Sequence, residues 1–185
     1  MALTSEDKNR IFQFAATNNI EIDAASLLKI EIYYDTLLEW SLKFNLISHK
    51  DRQFIIENHI LDSLGPISMI PEECRIIDIG SGAGFPGIPL AITRPKSYVT
   101  LLESVHKRSQ FLRAAIEAIG LGNAKVVEKR LEALSVSSNY DIAAVRALPK
   151  REIMMPFIQK ILSPGGKILL FVKRGQYEVI EKSLP

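Results

Sequence analysis

Asp78, Gly80, Gly82, Gly84, Gly87 and Glu103 are the residues whose types and spacing could do chemistry together in this chain. Ile76, Ile77, Asp78 and Ile79 suit a buried strand, the glycines follow at once, and an apolar segment from Ile88 to Ile92 comes next. A strand, a glycine turn and a helix make the first half of a nucleotide-binding βα unit. Glycine admits positive φ and close approach of a ligand to the backbone. The helix N-terminus beyond it offers free N–H groups to a polar or anionic group. The same pattern alone is equally a glycine-rich loop that binds nothing. Glu103 tips the balance: it stands at the end of the next strand candidate, where an acid about 20 residues past such a turn accepts hydrogen bonds from two ribose hydroxyls.

The kind of nucleoside follows from what the turn lacks. A dinucleotide fingerprint wants glycine at its first, third and sixth places, and the sixth place here is Phe85. That suits a ligand with no pyrophosphate to clasp. Asp78, just ahead of the first glycine, can orient the turn or receive a cationic group. S-adenosylmethionine meets these features with a ribose for Glu103, an adenine for an apolar pocket, and an ammonium and a sulfonium for the carboxylate side. Arg146 follows the fourth strand candidate, at the carboxyl edge where ligands sit in such sheets, and is expected to fix cofactor or substrate. His49, His59, His106 and Cys74 lack ligand spacing, so no metal site is expected. No serine or cysteine stands in a nucleophile's setting.

The elements that must position these residues divide the chain in two. Over residues 1–70 the apolar residues recur at helical spacing: a helix over residues 4 to 18 capped by Thr4 or Ser5, one from Asp23 to about Phe44, and one from about Asp51 to Leu64 ended by Gly65-Pro66. In the second, Leu27, Ile30, Tyr34 and Leu37 mark the stripe, and Trp40 reads as core rather than as a base-stacking platform. From Arg75 the pattern alternates. Strands are expected at Arg75–Ile79, Tyr98–Glu103, Ala124–Glu128, Ile142–Val145 and Lys167–Val172. Helices are expected at Gly87–Ile92, Lys107–Ile119, Arg130–Leu134 and Lys150–Leu162. Such alternation predicts a mostly parallel α/β sheet with helices on both faces over residues 71–185, carrying an N-terminal helical cap. After Lys173-Arg174-Gly175 there is room for one short helix, Tyr177–Ser183.

Bulk properties set the class. The 185 residues are 47% hydrophobic and 24% charged, which fits one filled core with a small appendage. A net charge of +2 permits a nucleic-acid partner without arguing for one. The single cysteine excludes an intramolecular disulfide and fits a reducing compartment. No apolar run reaches about 20 residues, and the N-terminus lacks the order of a signal peptide. The expectation is a cytoplasmic protein with no membrane contact and nothing that requires a dimer, so a monomer.

The loop Asp78-Ile-Gly-Ser-Gly-Ala-Gly-Phe-Pro-Gly-Ile-Pro-Leu-Ala closely resembles the signature of bacterial ribosomal RNA small-subunit methyltransferase G, the glucose-inhibited division protein B family. Asn45-Leu46, His59-Ile60-Leu61-Asp62-Ser63, Leu102-Glu103-Ser104, Lys107-Arg108, Phe111-Leu112, Arg130-Leu131-Glu132, Val145-Arg146-Ala147, and Lys173 with Gly175 also fall where that family has motifs. The resemblance implies a class I, Rossmann-like fold that uses S-adenosylmethionine to methylate N7 of one guanine in 16S ribosomal RNA, free or in the small subunit. It puts cofactor contacts on Gly80, Phe85, Leu131, Glu132 and Arg146, with Glu103 at the ribose; Asp78 and Gly82 belong to the same turn. It also implies a C-terminal antiparallel hairpin for which this chain looks too short, leaving the Lys167–Val172 edge less protected. His59 and Asp62 share a helical face and either close over the site, contact RNA, or tie the cap down by a hydrogen bond. Lys107, Arg108, Lys150, Arg151, Lys173 and Arg174 are candidate phosphate contacts. N7 of guanine has a lone pair and no proton, so no general base is expected. A nicotinamide-dependent oxidoreductase and a non-catalytic RNA-binding module are the competing readings.

Overall fold

A computed structural model of the chain describes residues 3–48, 50–135, 139–146 and 151–182, with the backbone alone for residue 151. Helices α1 (Ser5–Thr17) and α2 (Ala24–Lys43) open the cap. Thr4 caps α1 reciprocally: its hydroxyl accepts from Asp7 N while the Asp7 carboxylate accepts from Thr4 N. Asp23 caps α2 through Ser26 N. The buried stripe of α2 is Ile30, Tyr33, Leu37 and Ser41. Tyr33, absent from the expected stripe, lies on its centre line, three residues after Ile30 and four before Leu37. Trp40 packs edge-on against Phe111 of the core, as a residue that joins the cap to the rest of the chain.

The third cap helix is not one uninterrupted α-helix. It winds as a 3₁₀ turn (Arg52–Phe54), then a π-helical stretch (Ile56–Leu61), then a short α turn, α3 (Asp62–Leu64). π-helical turns are rare and cluster at functional sites. Here the wider winding carries Asn58 and His59, both of which meet Arg146 of the sheet.

The sheet has the order β3-β2-β1-β4-β5-β6. Its strands are β1 (Arg75–Ile79), β2 (Tyr98–Leu102), β3 (Ala124–Val127), β4 (Tyr140–Arg146), β5 (Leu162–Lys173) and β6 (Gln176–Glu181). The first five run parallel, and β6 pairs antiparallel to β5. Helices α4 (Gly87–Thr93), α5 (His106–Ile119) and α6 (Arg151–Ile161) fill the crossovers. The segment expected as a helix over Arg130–Leu134 is a single 3₁₀ turn, Leu131–Ala133.

The C-terminal expectation is overturned. Residues 176–181 form a strand rather than a helix, and that strand covers the edge of β5 that the sequence left bare. Gly175, at φ 72°, turns the chain back on itself within two residues. Tyr177 and Ile180 then fall on opposite faces of the sheet, each joining a different core cluster. A strand serves both faces at once; a short helix would bury only one of these side chains.

Both faces of the sheet are covered, which is why its strands read as nearly continuous apolar runs. On one face Ile76, Leu101 and Ala144 pack with Tyr33, Ile88 and Phe111. On the other Ile77, Ala143 and Ile168 pack with Ile158 and Ile161 of α6. Strand order reverses between β1 and β4. That switch point leaves a crevice at the carboxyl ends of the strands, where Gly80 and Arg146 emerge.

Candidate active site

The glycine turn is fastened from three sides. Gly80 N and Ser81 N both donate to Leu102 O, at 2.8 and 3.1 Å, which docks the turn on the end of β2. From the cap, the Tyr33 hydroxyl donates to Ala83 O at 2.6 Å. Glu103 accepts from Gly82 N at 2.9 Å with one carboxylate oxygen and from Val105 N at 2.8 Å with the other. Two of the glycines are forced by space. A Cβ on Gly84 would stand 2.6 Å from Ile88 Cδ1 and 2.9 Å from Tyr33 Oη, and one on Gly87 would stand 2.2 Å from Leu101 Cδ2. Gly80 differs: its φ of 75° needs glycine, yet nothing lies within 4 Å of the Cβ position. That open side faces the crevice.

Beneath the turn Asp78 is fully buried. One oxygen accepts from Gly87 N at 3.0 Å, and the other has no partner among the described residues. Burial pushes its carboxyl up to about 7, against the opposing effects of the Gly87 amide, Ser81 and Arg146.

Two cavities open on this frame. The larger, about 450 Å³, is lined by Gly80, Glu103, Val105, Leu131, Glu132 and Arg146, among others. The smaller, about 250 Å³, lies between the turn residues Gly80, Ser81, Gly82, Ala83 and Phe85 and the cap residues Leu46, Ile47, Ser48, Asp51 and His59. Gly80 and Arg146 line both. Asp78 lines neither.

Arg146 joins the cap to the sheet. Its Nη2 pairs with Asp62 at 2.9 Å and donates to Ser63 Oγ at 3.3 Å. Its Nη1 donates to Asn58 O at 3.2 Å and lies 3.4 Å from His59 Nδ1. A guanidinium only donates, so His59 Nδ1 accepts and the ring proton sits on Nε2. Burial, then Arg146, holds the His59 imidazole below its ordinary range, and Asp51 and Asp62 pull the other way. The imidazole stacks on Phe85, with ring centres 4.9 Å apart. Asp62 reaches onward: its other carboxylate oxygen accepts from Gly175 N at 2.8 Å and from the Tyr177 hydroxyl at 3.1 Å.

The cofactor candidates other than Asp78 meet at one crevice, and the RNA candidates are scattered. Gly80, Gly82, Phe85, Glu103, Leu131, Glu132 and Arg146 surround the two cavities. Of the RNA candidates, Asp62 is buried with both oxygens held by protein groups, a geometry that fits a tie between cap and sheet. His59 lines the smaller cavity and Arg108 the larger. Lys107 lies over the Phe44 ring, Arg174 donates to Asn58 Oδ1, and Lys173 is exposed. Lys150 and the Arg151 side chain fall outside the described residues. Sequence reasoning missed Tyr33, Ser48, Asp51, Asn58, Ser63 and Tyr177. The helical stripe of α2 could have given Tyr33; the others meet partners that no local pattern announces. Among the described residues no group of three or more His, Cys, Asp or Glu is placed to hold a metal, and no helix is long and apolar enough to cross a membrane.

The family model described as rRNA small subunit methyltransferase G matches residues 26–183 of this chain. The chain is 39% identical to a ribosomal RNA small subunit methyltransferase G of Xanthomonas axonopodis pv. citri (strain 306), over 80% of its own length and 69% of that protein. It is 36% identical to the Wolinella succinogenes protein of the same name, over 84% and 79% of the two lengths. Among solved structures it resembles an S-adenosyl-L-methionine-dependent methyltransferase from Methanococcus maripaludis, with a TM-score of 0.55 at 21% identity, covering 63% of this chain and 57% of that one. That likeness carries the fold alone.

Proposed function

We infer, from the premise that the chain belongs to the ribosomal RNA small subunit methyltransferase G family, that it is an enzyme methylating ribosomal RNA from S-adenosylmethionine. The acceptor is N7 of one guanine in 16S ribosomal RNA, free or in the small subunit, as the loop resemblance implies. A ribosomal substrate supports a cytoplasmic protein, and no feature of the sequence requires more than a monomer.

The residues present fit the cofactor. The observation that carries the reading is the buried Glu103 carboxylate at the wall of the larger cavity. Each of its oxygens already takes one backbone N–H, which fixes its direction, and each retains a lone pair for a ribose hydroxyl. Val105 and Leu131 beside it give an apolar surface for a purine, and the open side of Gly80 leaves room for atoms crossing the turn. Bound S-adenosylmethionine supplies an electrophilic methyl on sulfur that a ring-nitrogen lone pair can take directly.

The chain's own work is then alignment. N7 has no proton to remove, so the reaction needs no general base. Asp78 is walled off beneath the turn, and the acceptor nitrogen of His59 is directed at Arg146. Holding two reactants at near-attack distance can supply about 7–11 kcal/mol of the barrier. Tyr33, Glu103 and Arg146 hold the walls on which that distance depends.

The test is methyl transfer to small-subunit particles from a strain lacking this enzyme, with borohydride–aniline cleavage to locate 7-methylguanine. One cleavage site, dependent on the protein, is expected. No incorporation by folded protein, on particles or on free 16S RNA, overturns the reading.

A further inference from the structure

We propose that Asp51, in the cap, is the anionic partner of the α-ammonium on the cofactor's amino-acid tail, so that the smaller cavity holds the tail and the larger the nucleoside. The inference rests on the cofactor reading above and adds to it a residue and a place.

From the sequence, Asp78 either orients the turn or receives a cationic group. In the structure Asp78 is fully buried, held by Gly87 N, and lines neither cavity, which favours the first role. Glu103 is turned to the nucleoside side, on the wall of the larger cavity. The one carboxylate among the lining residues of the smaller cavity is Asp51.

Three observations carry the assignment. First, the cavities share Gly80 and Arg146, so a ligand with its nucleoside against Glu103 has only to cross Gly80 to put its tail in the smaller cavity. Gly80 offers no side chain in the way. Second, the smaller cavity is charged to match a zwitterion. Among the described residues its ionic lining is one anion, Asp51, and one cation, Arg146, which is paired with Asp62 but keeps Nε without a partner; His59 is held toward its neutral form by burial. An amino-acid tail carries one ammonium and one carboxylate. Third, Asp51 is aimed. One carboxylate oxygen accepts from Ser48 Oγ at 2.5 Å, and Ser48 lines the same cavity. The other has no protein partner among the described residues.

The simpler role for Asp51 is to close the turn from Ser48, since its own N–H also returns to Ser48. Calorimetry with three ligands separates the two roles: S-adenosylhomocysteine, its analogue lacking only the α-amino group, and 5′-methylthioadenosine, which has no amino-acid tail. Wild-type protein should bind S-adenosylhomocysteine about 10-fold more tightly than the deaminated analogue, the size of one charge-assisted pair. In Asp51→Asn that difference should vanish while 5′-methylthioadenosine binds within about twofold of wild type.

Equal losses for all three ligands would mean a collapsed turn and would overturn the proposal. So would an unchanged preference for the ammonium in Asp51→Asn, or a raised KM for ribosomal particles with cofactor affinity intact, which would give the carboxylate to the RNA. The wild-type comparison needs no variant, so a misfolded Asp51→Asn does not shelter the idea: no preference for the ammonium in wild type ends it. Wild-type protein that binds none of the three ligands would instead sink the cofactor reading.

Discussion

Asp78 has no exposed surface, one oxygen on the Gly87 amide and one without a partner among the described residues. Its carboxyl is raised from the ordinary 3.8 to about 7, mainly by burial. A carboxyl raised on folding favours the protonated state in the native protein, so the stability it contributes is full below pH 3.8 and is lost as pH rises toward 7. The Asp78→Asn variant keeps an oxygen for Gly87 N and cannot ionise. Its unfolding free energy, measured in urea from pH 4 to 8, should lose this fall, so that the variant gains on wild type by a few kcal/mol at the alkaline end. The linkage is wrong if the difference between the two proteins is flat with pH. His59 titrates with the opposite sign, because its range is lowered; taking the difference between the two proteins cancels it. The sequence showed that an acid precedes the first glycine. It could not show that Gly87 would fold back over that acid, nor that the carboxylate facing the smaller cavity would come from Asp51, 27 positions earlier.

At the scale of elements, the π-helical stretch Ile56–Leu61 and the hairpin of β5 and β6 act on each other through Asp62. Asp62 takes Arg146 with one oxygen and Gly175 N and the Tyr177 hydroxyl with the other. Asp62→Ala leaves a partly buried guanidinium without its anion, a loss of about 1–3 kcal/mol. Hydrogen exchange in the variant should speed up in two stretches far apart in sequence, Ile56–Leu64 and Gln176–Glu181, with Ile76–Ile79 unchanged. Faster exchange in only one of them would show that Asp62 does not couple the two. The strand–helix alternation from Arg75 to Lys173 was legible because buried parallel strands advertise themselves as apolar runs. The helix caps at Thr4 and Asp23 were legible because their chemistry is local. The π winding was not, since it adds a residue to a turn without altering the apolar pattern that marks a helix. Nor was β6, whose residues Gln176 to Glu181 alternate too weakly to separate a strand from a short helix.

For the whole molecule, the net charge of +2 says little, because a local basic patch matters more to a nucleic acid than the net value. Lys107, Arg108 and Lys173 are exposed, and Arg108 lines the larger cavity. If they meet phosphates, binding of small-subunit particles should weaken steeply with salt, and Lys173→Ala should lower the slope of log affinity against log salt by about 1. Cofactor affinity should stay as in wild type, since Lys173 lines neither cavity. An unchanged slope removes Lys173 from the RNA footprint. The clamp around Asp62 also has a consequence in time. Its partners are separated by 113 positions at Gly175, and Arg146 reaches back 88 to Asn58. Contacts of such high order cost loop-closure entropy and form late. A chain growing at about 5–20 residues per second therefore completes its glycine turn and Glu103 wall well before Gly175 and Tyr177 leave the ribosome that is making it. The tie between cap and hairpin therefore follows the glycine turn and Glu103 in the order of synthesis.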